Sequence, residues 1–255
     1  MPSPTNTLPN SQRWFGEVGI EIGFAFFIGH SGDNQAHAHW VHQCVVRLDQ
    51  PFTLINKDES FQGDAIFVPA GIEHRLVAPS HLSLFFDPTS ALAIALCEHL
   101  PDPRHVQALP KTIADFFRGL LTLENSSRNL HQHCQAFFEH HRKIAKSDPR
   151  LHLILQSIRQ EIGADYTKRN VLAQQIALSD SRFSHWFREQ TGMPLRSYRK
   201  WLRLIVAIEA ILDDSSAIDA AHAAGFSDQA HFSRTFLAMF GITPHRLLPN
   251  LISKK

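Results

Sequence analysis

The chain lacks long apolar runs, paired cysteines and a strong net charge, and each absence removes a class of protein. There are three cysteines in 255 residues. Cys44, Cys97 and Cys134 are odd in number, widely spaced and outside any CxxC, so neither a disulfide framework nor a zinc finger is indicated. They are expected to be reduced and mostly buried. The longest unbroken apolar run, Ala91 to Cys97, falls far short of the roughly 20 residues a transmembrane helix needs. Residues 1–12 hold no Lys or Arg and no apolar stretch, so they do not read as a secretory signal. A flexible tail on a cytoplasmic protein is expected. No Walker loop, Rossmann fingerprint or Ser-His-Asp order is visible, which leaves those enzyme classes without support.

Apolar residues at 44% and charged residues at 19% are ordinary for a globular chain. At about 150 residues per domain, this length points to two domains. The net charge of +1 is unevenly spread: residues 1–147 carry −3 and residues 148–255 carry +4. A basic C-terminal part points to a polyanionic partner if a motif agrees.

Residues 24–28, 39–48, 51–55, 65–69 and 81–86 read as short strands, separated by turn signals such as Asn56-Lys57-Asp58 and Pro69-Ala70-Gly71. A small antiparallel barrel or sandwich is expected there. After Pro88 the period becomes helical, with Leu92, Ala95, Leu96 and His99 at helical spacing and helical patterns near 111–123 and 128–146. Ser147-Asp148-Pro149 is the expected boundary, since Asp caps a helix and Pro suits its first position. The expected division is a tail (1–12), a barrel domain (13–90), a helical connector serving dimerisation (91–147) and an all-helical domain (148–255).

Within that last domain the chain resembles itself at an offset of 49 residues. Phe183, Ser184, Phe187 and Gly192 recur as Phe232, Ser233, Phe236 and Gly241. In the first copy Phe183, Trp186, Phe187 and Gln190 share one helical face, and Ser181, Ser184, His185 and Arg188 the opposite one. In the second, Phe232, Phe236, Met239 and Phe240 form the apolar stripe, with Ala230, His231 and Arg234 facing away. Short helices at 171–178 and 217–224 precede the two copies through turns at Ser179-Asp180 and Gly225, the layout of a helix-turn-helix. Leu195 to Leu212, free of Pro and Gly, would form a helix about 27 Å long. That is close to the roughly 34 Å between successive major-groove faces of B-DNA, so two reading helices could enter adjacent grooves.

These residues resemble the DNA-binding region of AraC/XylS-type transcription regulators. The resemblance is carried by Leu172 to Ser179 (LAxxxxxS), Phe187 to Gly192 (FxxxxG), Arg203 to Ala207 (RLxxA), GFSDQAHFSRTF at 225–236 and GITP at 241–244. It implies a sequence-specific regulator, with double-stranded promoter DNA, an effector, a second copy of the chain and, in an activator, RNA polymerase as partners. The base-reading candidates are then Ser181, Arg182, Ser184, His185 and Arg188 in the first helix, and Gln229, Ala230, His231, Ser233 and Arg234 in the second. The types fit: Arg pairs with guanine, Gln with adenine, and Ala meets a thymine methyl. Ser181, His185 and Arg234 could hold phosphates instead. Lys168, Arg169, Arg196, Arg199 and Arg203 are either phosphate contacts or surface charges. The chain departs from the family at Ala220, usually bulkier, and at Leu247-Leu248, usually Tyr-Arg. A looser second unit is expected from these changes.

Gly63 to His74, GDAIFVPAGIEH, resembles the second cupin motif, and His37 and His39 the HxH of the first, with the glycine one place off at Gly32. The resemblance implies an α+β protein: an N-terminal cupin-like antiparallel β-barrel as effector domain, a helical connector and a C-terminal all-α double helix-turn-helix. On a strand His37, His39 and Gln43 would share a side, with His74 arriving from a neighbour. Such a set either lines a sensor pocket or holds a transition metal (Zn, Fe, Ni or Mn), with Gln43 where cupin enzymes have Glu. A metal-sensing regulator and a metal-dependent cupin enzyme fused to a DNA-binding region are the alternatives to an organic effector. His131, His133, Cys134, His140 and His141 form a second patch, read as a solvated helix surface.

Overall fold

The computed structural model describes residues 14–21, 23–57, 59–122, 126–140, 148–161 and 167–254, without the side chains of 126–128 and 140. In chain order the N-terminal part runs β1 (Phe15–Glu21), β2 (Phe24–His30), β3 (His42–Arg47), β4 (Phe52–Asn56), β5 (Glu59–Gly63), β6 (Ala65–Val68), β7 (Arg75–Val77), β8 (Ser80–Phe86), α1 (Ala91–Glu98), β9 (Gln107–Ala108), α2 (Lys111–Leu120) and α3 (Ser126–His140). The C-terminal part runs α4 (Pro149–Gln160), α5 (Arg169–Gln175), α6 (Asp180–Thr191), α7 (Leu195–Leu212), α8 (Ala217–Ala223), α9 (Gln229–Phe240), α10 (Pro244–Leu247), a 3-10 turn (Leu248–Asn250) and β10 (Leu251–Ser253). Among the described residues no helix is long and apolar enough to cross a membrane.

Seven strands form one sheet in the order β10-β1-β2-β8-β3-β6-β9, and β5-β4-β7 form a second. All pairs are antiparallel except β1 with β10. The period-two rule sorts the faces of the large sheet. Leu82, Leu84 and Phe86 of β8 join Phe24, Phe26, Cys44 and Phe67 in a core with the helices. Val45, Ile66 and Val68 turn the other way, onto Phe52, Leu54 and Leu76 of the small sheet. The result is the expected α+β arrangement, an antiparallel-rich N-terminal part followed by a helical one.

Three expectations are corrected. Residues 91–140 are no separate connector: Leu92, Leu96, Ile113, Phe117, Leu130 and Phe138 share the sheet's own core. A sheet with apolar side chains on both faces needs such a cover. The strand expected at 39–48 begins at His42, because the groups of the preceding residues bond outside the sheet ladder. His39 accepts from Gly71 N through its carbonyl at 2.8 Å, and its Nδ1 donates to Val41 O at 2.9 Å. The patch on α3 is also not simply solvated. Cys134 is fully buried, while His131 bonds to Glu21 and stacks on Phe24 with ring centroids 5.2 Å apart. His141 and the side chain of His140 lie outside the described residues.

In the C-terminal part, Asp148 caps α4 by accepting from Arg150 N at 3.0 Å, with Pro149 in the first position. The repeat is structural as well as sequential. Helices α6 and α9 are each 12 residues long, begin after Ser179 and Asp228, and end at Gly192 and Gly241, whose φ values are +74° and +66°. Their preceding turns differ. The second unit places Gly225 at φ +77°, whereas the first ends α5 earlier than expected and bends through Ala177 at φ +54°. A Cβ in the left-handed region costs about 1 kcal/mol. Because Gly also loosens the unfolded chain, Ala177→Gly is expected to cost nothing or to stabilise by about 0.5 kcal/mol in urea unfolding, and a loss of about 1 kcal/mol would refute strain there.

Candidate DNA-reading face and effector cavity

On α6, Ser181, Arg182, His185 and Arg188 are exposed, while Phe183, Trp186 and Phe187 are buried behind them. Ser184 is half-buried, and its Oγ donates to Asp180 O at 3.1 Å, so part of its hydrogen-bonding capacity is already used. On α9, Gln229, Ala230 and Arg234 are exposed, and His231 and Ser233 are half-buried. Asp228 accepts from the backbone N of His231 at 2.6 Å, and Ser227 Oγ lies 3.1 Å from the His231 ring nitrogen, so the start of this helix is well ordered by local chemistry.

Between the two helices runs a cleft floored by α7. It is lined by Ser184, His185 and Arg188 of α6, His231 of α9, and Arg196, Lys200 and Arg203 of α7, with Arg169 at its side. Like charges gathered in a concave surface reinforce one another's potential, which suits a passing phosphate backbone. Arg199 corrects one expectation. Although it borders the cleft, its guanidinium donates to Glu161 Oε2 at 2.8 Å and to Thr167 O at 2.7 Å. With side-chain exposures of 13% and 6%, Arg199 and Glu161 form a buried tie from α7 to the end of α4 rather than a phosphate contact.

The rear of the second unit meets the sheet domain. Trp201, Ile205 and Ile208 of α7, Phe236 and Phe240 of α9, and Leu248 and Leu251 face Val18, Phe27 and Phe85 across a cavity that is partly open at its mouth. Two backbone ties hold this interface. Gln35 N donates to Gly241 O at 2.8 Å. At the sheet edge β10 pairs in parallel with β1, and Lys254 adds a bond from its N to Val18 O at 2.8 Å and an ion pair to Glu17 at 3.2 Å.

The polar end of the cavity contains His37, His39, Gln43 and His74. His37 and His74 pair as an isolated bridge rather than along a strand, yet the four side chains converge as expected. The ligand atoms of the three histidines all lie within 4.8 Å of one another. Each Nδ1 lies 2.9 Å from a carbonyl, those of Gln35, Val41 and Ile72. A carbonyl only accepts, so each Nδ1 carries the proton and each neutral ring keeps its lone pair on Nε2. Burial lowers all three pKa values, His37 to about 4 with His39 as the second cause.

Gln43 Oε1 lies 2.9 Å from His39 Nε2 and 3.1 Å from His74 Nε2, and its Nε2 lies 2.9 Å from Ser83 Oγ. Lone pairs facing a carbonyl oxygen repel. Two arrangements relieve this: a cation held by the three imidazoles and the amide oxygen, or a half-turn of the amide that presents its NH2 to the rings and takes the Ser83 proton. The donor set fits a transition metal in number and type, with carbonyls orienting the imidazoles as metal ligands require.

Sequence reasoning missed Asn34, His81 and Ser83, which line the same cavity. Alternation along β8 was the available signal for two of them, since His81, Ser83 and Phe85 share the face opposite the helix-covered one.

Residues 172–249 match the family model described as a helix-turn-helix domain. The transcriptional activator RhaR of Pectobacterium atrosepticum is 33% identical over 95 residues, 37% of this chain and 33% of that protein. The transcriptional activator RhaS of Escherichia coli is 31% identical over 102 residues, 40% of this chain and 36% of that protein. The chain thus spans about a third of the length of the curated relatives it matches. The C-terminal part carries a helix-turn-helix domain. Over the whole chain the fold is similar to that of ToxT from Vibrio cholerae, with a TM-score of 0.56 at 12% identity, covering 88% of this chain and 96% of that one. A ToxT structure with an unsaturated fatty acid bound gives a TM-score of 0.58 at 10% identity, covering 92% and 99%.

The two departures of this helix-turn-helix region now have settings. Ala220 is buried, at 1% exposure. Leu247 and Leu248, in place of Tyr-Arg, line the cavity and pack in the cluster with Trp201. Apolar side chains suit a position covered by another domain.

Proposed function

We propose that this chain is a sequence-specific DNA-binding transcription regulator of the AraC/XylS type, working as a homodimer under the control of a small molecule held in the cavity. The carrying observation is the pair of exposed polar helix faces on α6 and α9, flanking a basic cleft floored by α7. Two such faces on one chain suit two successive major grooves, with the intervening backbone passing over Arg196, Lys200 and Arg203. The activator names of the relatives and the fatty acid bound to ToxT support regulation and an effector respectively. The cavity's own position supports coupling: one wall is the buried side of α9, so occupancy that prefers one placement of that helix changes its availability to DNA.

The test is binding to a site selected from random DNA. Arg182→Ala and Arg234→Ala are each expected to weaken that binding by about 1–3 kcal/mol, with smaller losses on random sequence. Equal losses on both would make them phosphate contacts, and an absence of any selected sequence would refute the reading.

A metal-responsive form of the same regulator is favoured by one observation, the convergence of three correctly oriented imidazoles with the Gln43 amide. Elemental analysis of untagged protein should then find about one Zn, Fe, Ni or Mn per chain, lost in His74→Ala. Metal-free protein from metal-replete medium would exclude this version.

A further inference from the structure

The effector reading leaves the chemistry of the ligand open, and the lining of the cavity narrows it. Among the described residues around it there is no Lys, Arg, Asp or Glu. A carboxylate entering this space would give up its hydration with no cation to replace it. Most of the wall is apolar, with Trp201, Phe236 and Phe240 opposite the sheet.

Two of the polar atoms left to a ligand, on Asn34 and His37, are acceptors. Asn34 is 6% exposed, and its Nδ2 donates to Leu76 O at 3.0 Å, which fixes the amide and makes Oδ1 the free end. That Oδ1 is buried and has no hydrogen-bond partner. His37 Nδ1 gives its proton to Gln35 O, which leaves a lone pair on Nε2. A buried acceptor without a donor is costly, and a hydroxyl supplied by a ligand removes the cost.

We propose that the cavity binds a neutral, largely apolar molecule whose polar end is a hydrogen-bond donor, an aliphatic alcohol or a phenol, and that it discriminates against the matching carboxylate. This rests on the reading of the cavity as the effector site. It also separates this chain from its fatty-acid-binding structural neighbour, because the two would share a fold and differ in the head group accepted.

The experiment titrates the full chain, treated with a chelator, with n-decanol and with decanoate, following the fluorescence of Trp14 and Trp201 in the cavity wall. A second pair, para-butylphenol and para-butylbenzoate, controls for chain shape. The neutral member of each pair is expected to bind about tenfold or more tightly than the anion, near neutral pH. Asn34→Leu should narrow that gap by weakening the alcohol alone. Should that variant fail to fold, the two ligand pairs on the unmodified chain decide the matter. Equal or tighter binding of the carboxylates overturns the assignment while leaving an effector in the cavity. Binding of none of the four overturns the assignment and the effector reading together.

Discussion

Gly241→Ala should destabilise the protein by about 3 kcal/mol, while the same change at Gly192 should cost only about 1 kcal/mol. The two glycines are equivalent in the repeat, ending α6 and α9 in the left-handed region. Their surroundings differ. A Cβ on Gly192 meets nothing within 4 Å, whereas one on Gly241 would lie 2.2 Å from Gln35 O and 2.8 Å from His37 Nδ1. The first cost is backbone strain alone. The second adds a clash with a backbone oxygen that cannot rotate away, and it is relieved only if the second helix-turn-helix backs off the sheet domain. Paired urea melts measure the difference, and faster proteolysis between the domains should accompany the Gly241 change alone. Equal costs at the two positions would mean that the domains are not docked through this turn.

Removal of the Arg199 guanidinium has the other large expected effect. Arg199→Ala leaves Glu161, at 6% side-chain exposure, as a buried carboxylate without its cation, and Thr167 O without its donor. Breaking such a pair from one side costs about 3–5 kcal/mol. The loss should fall on the first helix-turn-helix, where α4 and α7 meet around Tyr198 and Phe187. Replacing both partners with Leu should recover most of the stability, since no buried charge is then left alone. A loss below about 1 kcal/mol for the single variant would place the pair among ordinary surface ion pairs.

The parts of this protein that were legible in its sequence are those fixed by neighbours in the chain. Asp148-Pro149 announces a helix start because a cap bonds to a residue two places ahead. The amphipathic faces of α6 and α9 follow from spacing alone. The histidine set was legible through its motif, although its geometry comes from local turns and not from the strand that alternation suggested. What stayed hidden depends on distant partners. Nothing in Leu251-Ile252-Ser253 marks it as a strand until Gly16 and Val18 lie beside it. Arg199 looked like its basic neighbours, and only Glu161, 38 residues away, gives it another role. Asn34 carried no signal at all, because its meaning lies in an oxygen left without a donor.

The pairing of β10 with β1 also orders events during synthesis. The β1 strand leaves the ribosome long before β10, and until β10 arrives its outer edge offers unpaired N–H and C=O groups, next to Phe15 at 55% exposure. An open edge of this kind recruits any strand that passes, including one from another nascent chain. A contact between residues so far apart is also slow to form, because a long loop must close first. The sheet domain is therefore completed only once the helix-turn-helix region has emerged, and products that stop before Leu251 carry an unsealed, adhesive edge.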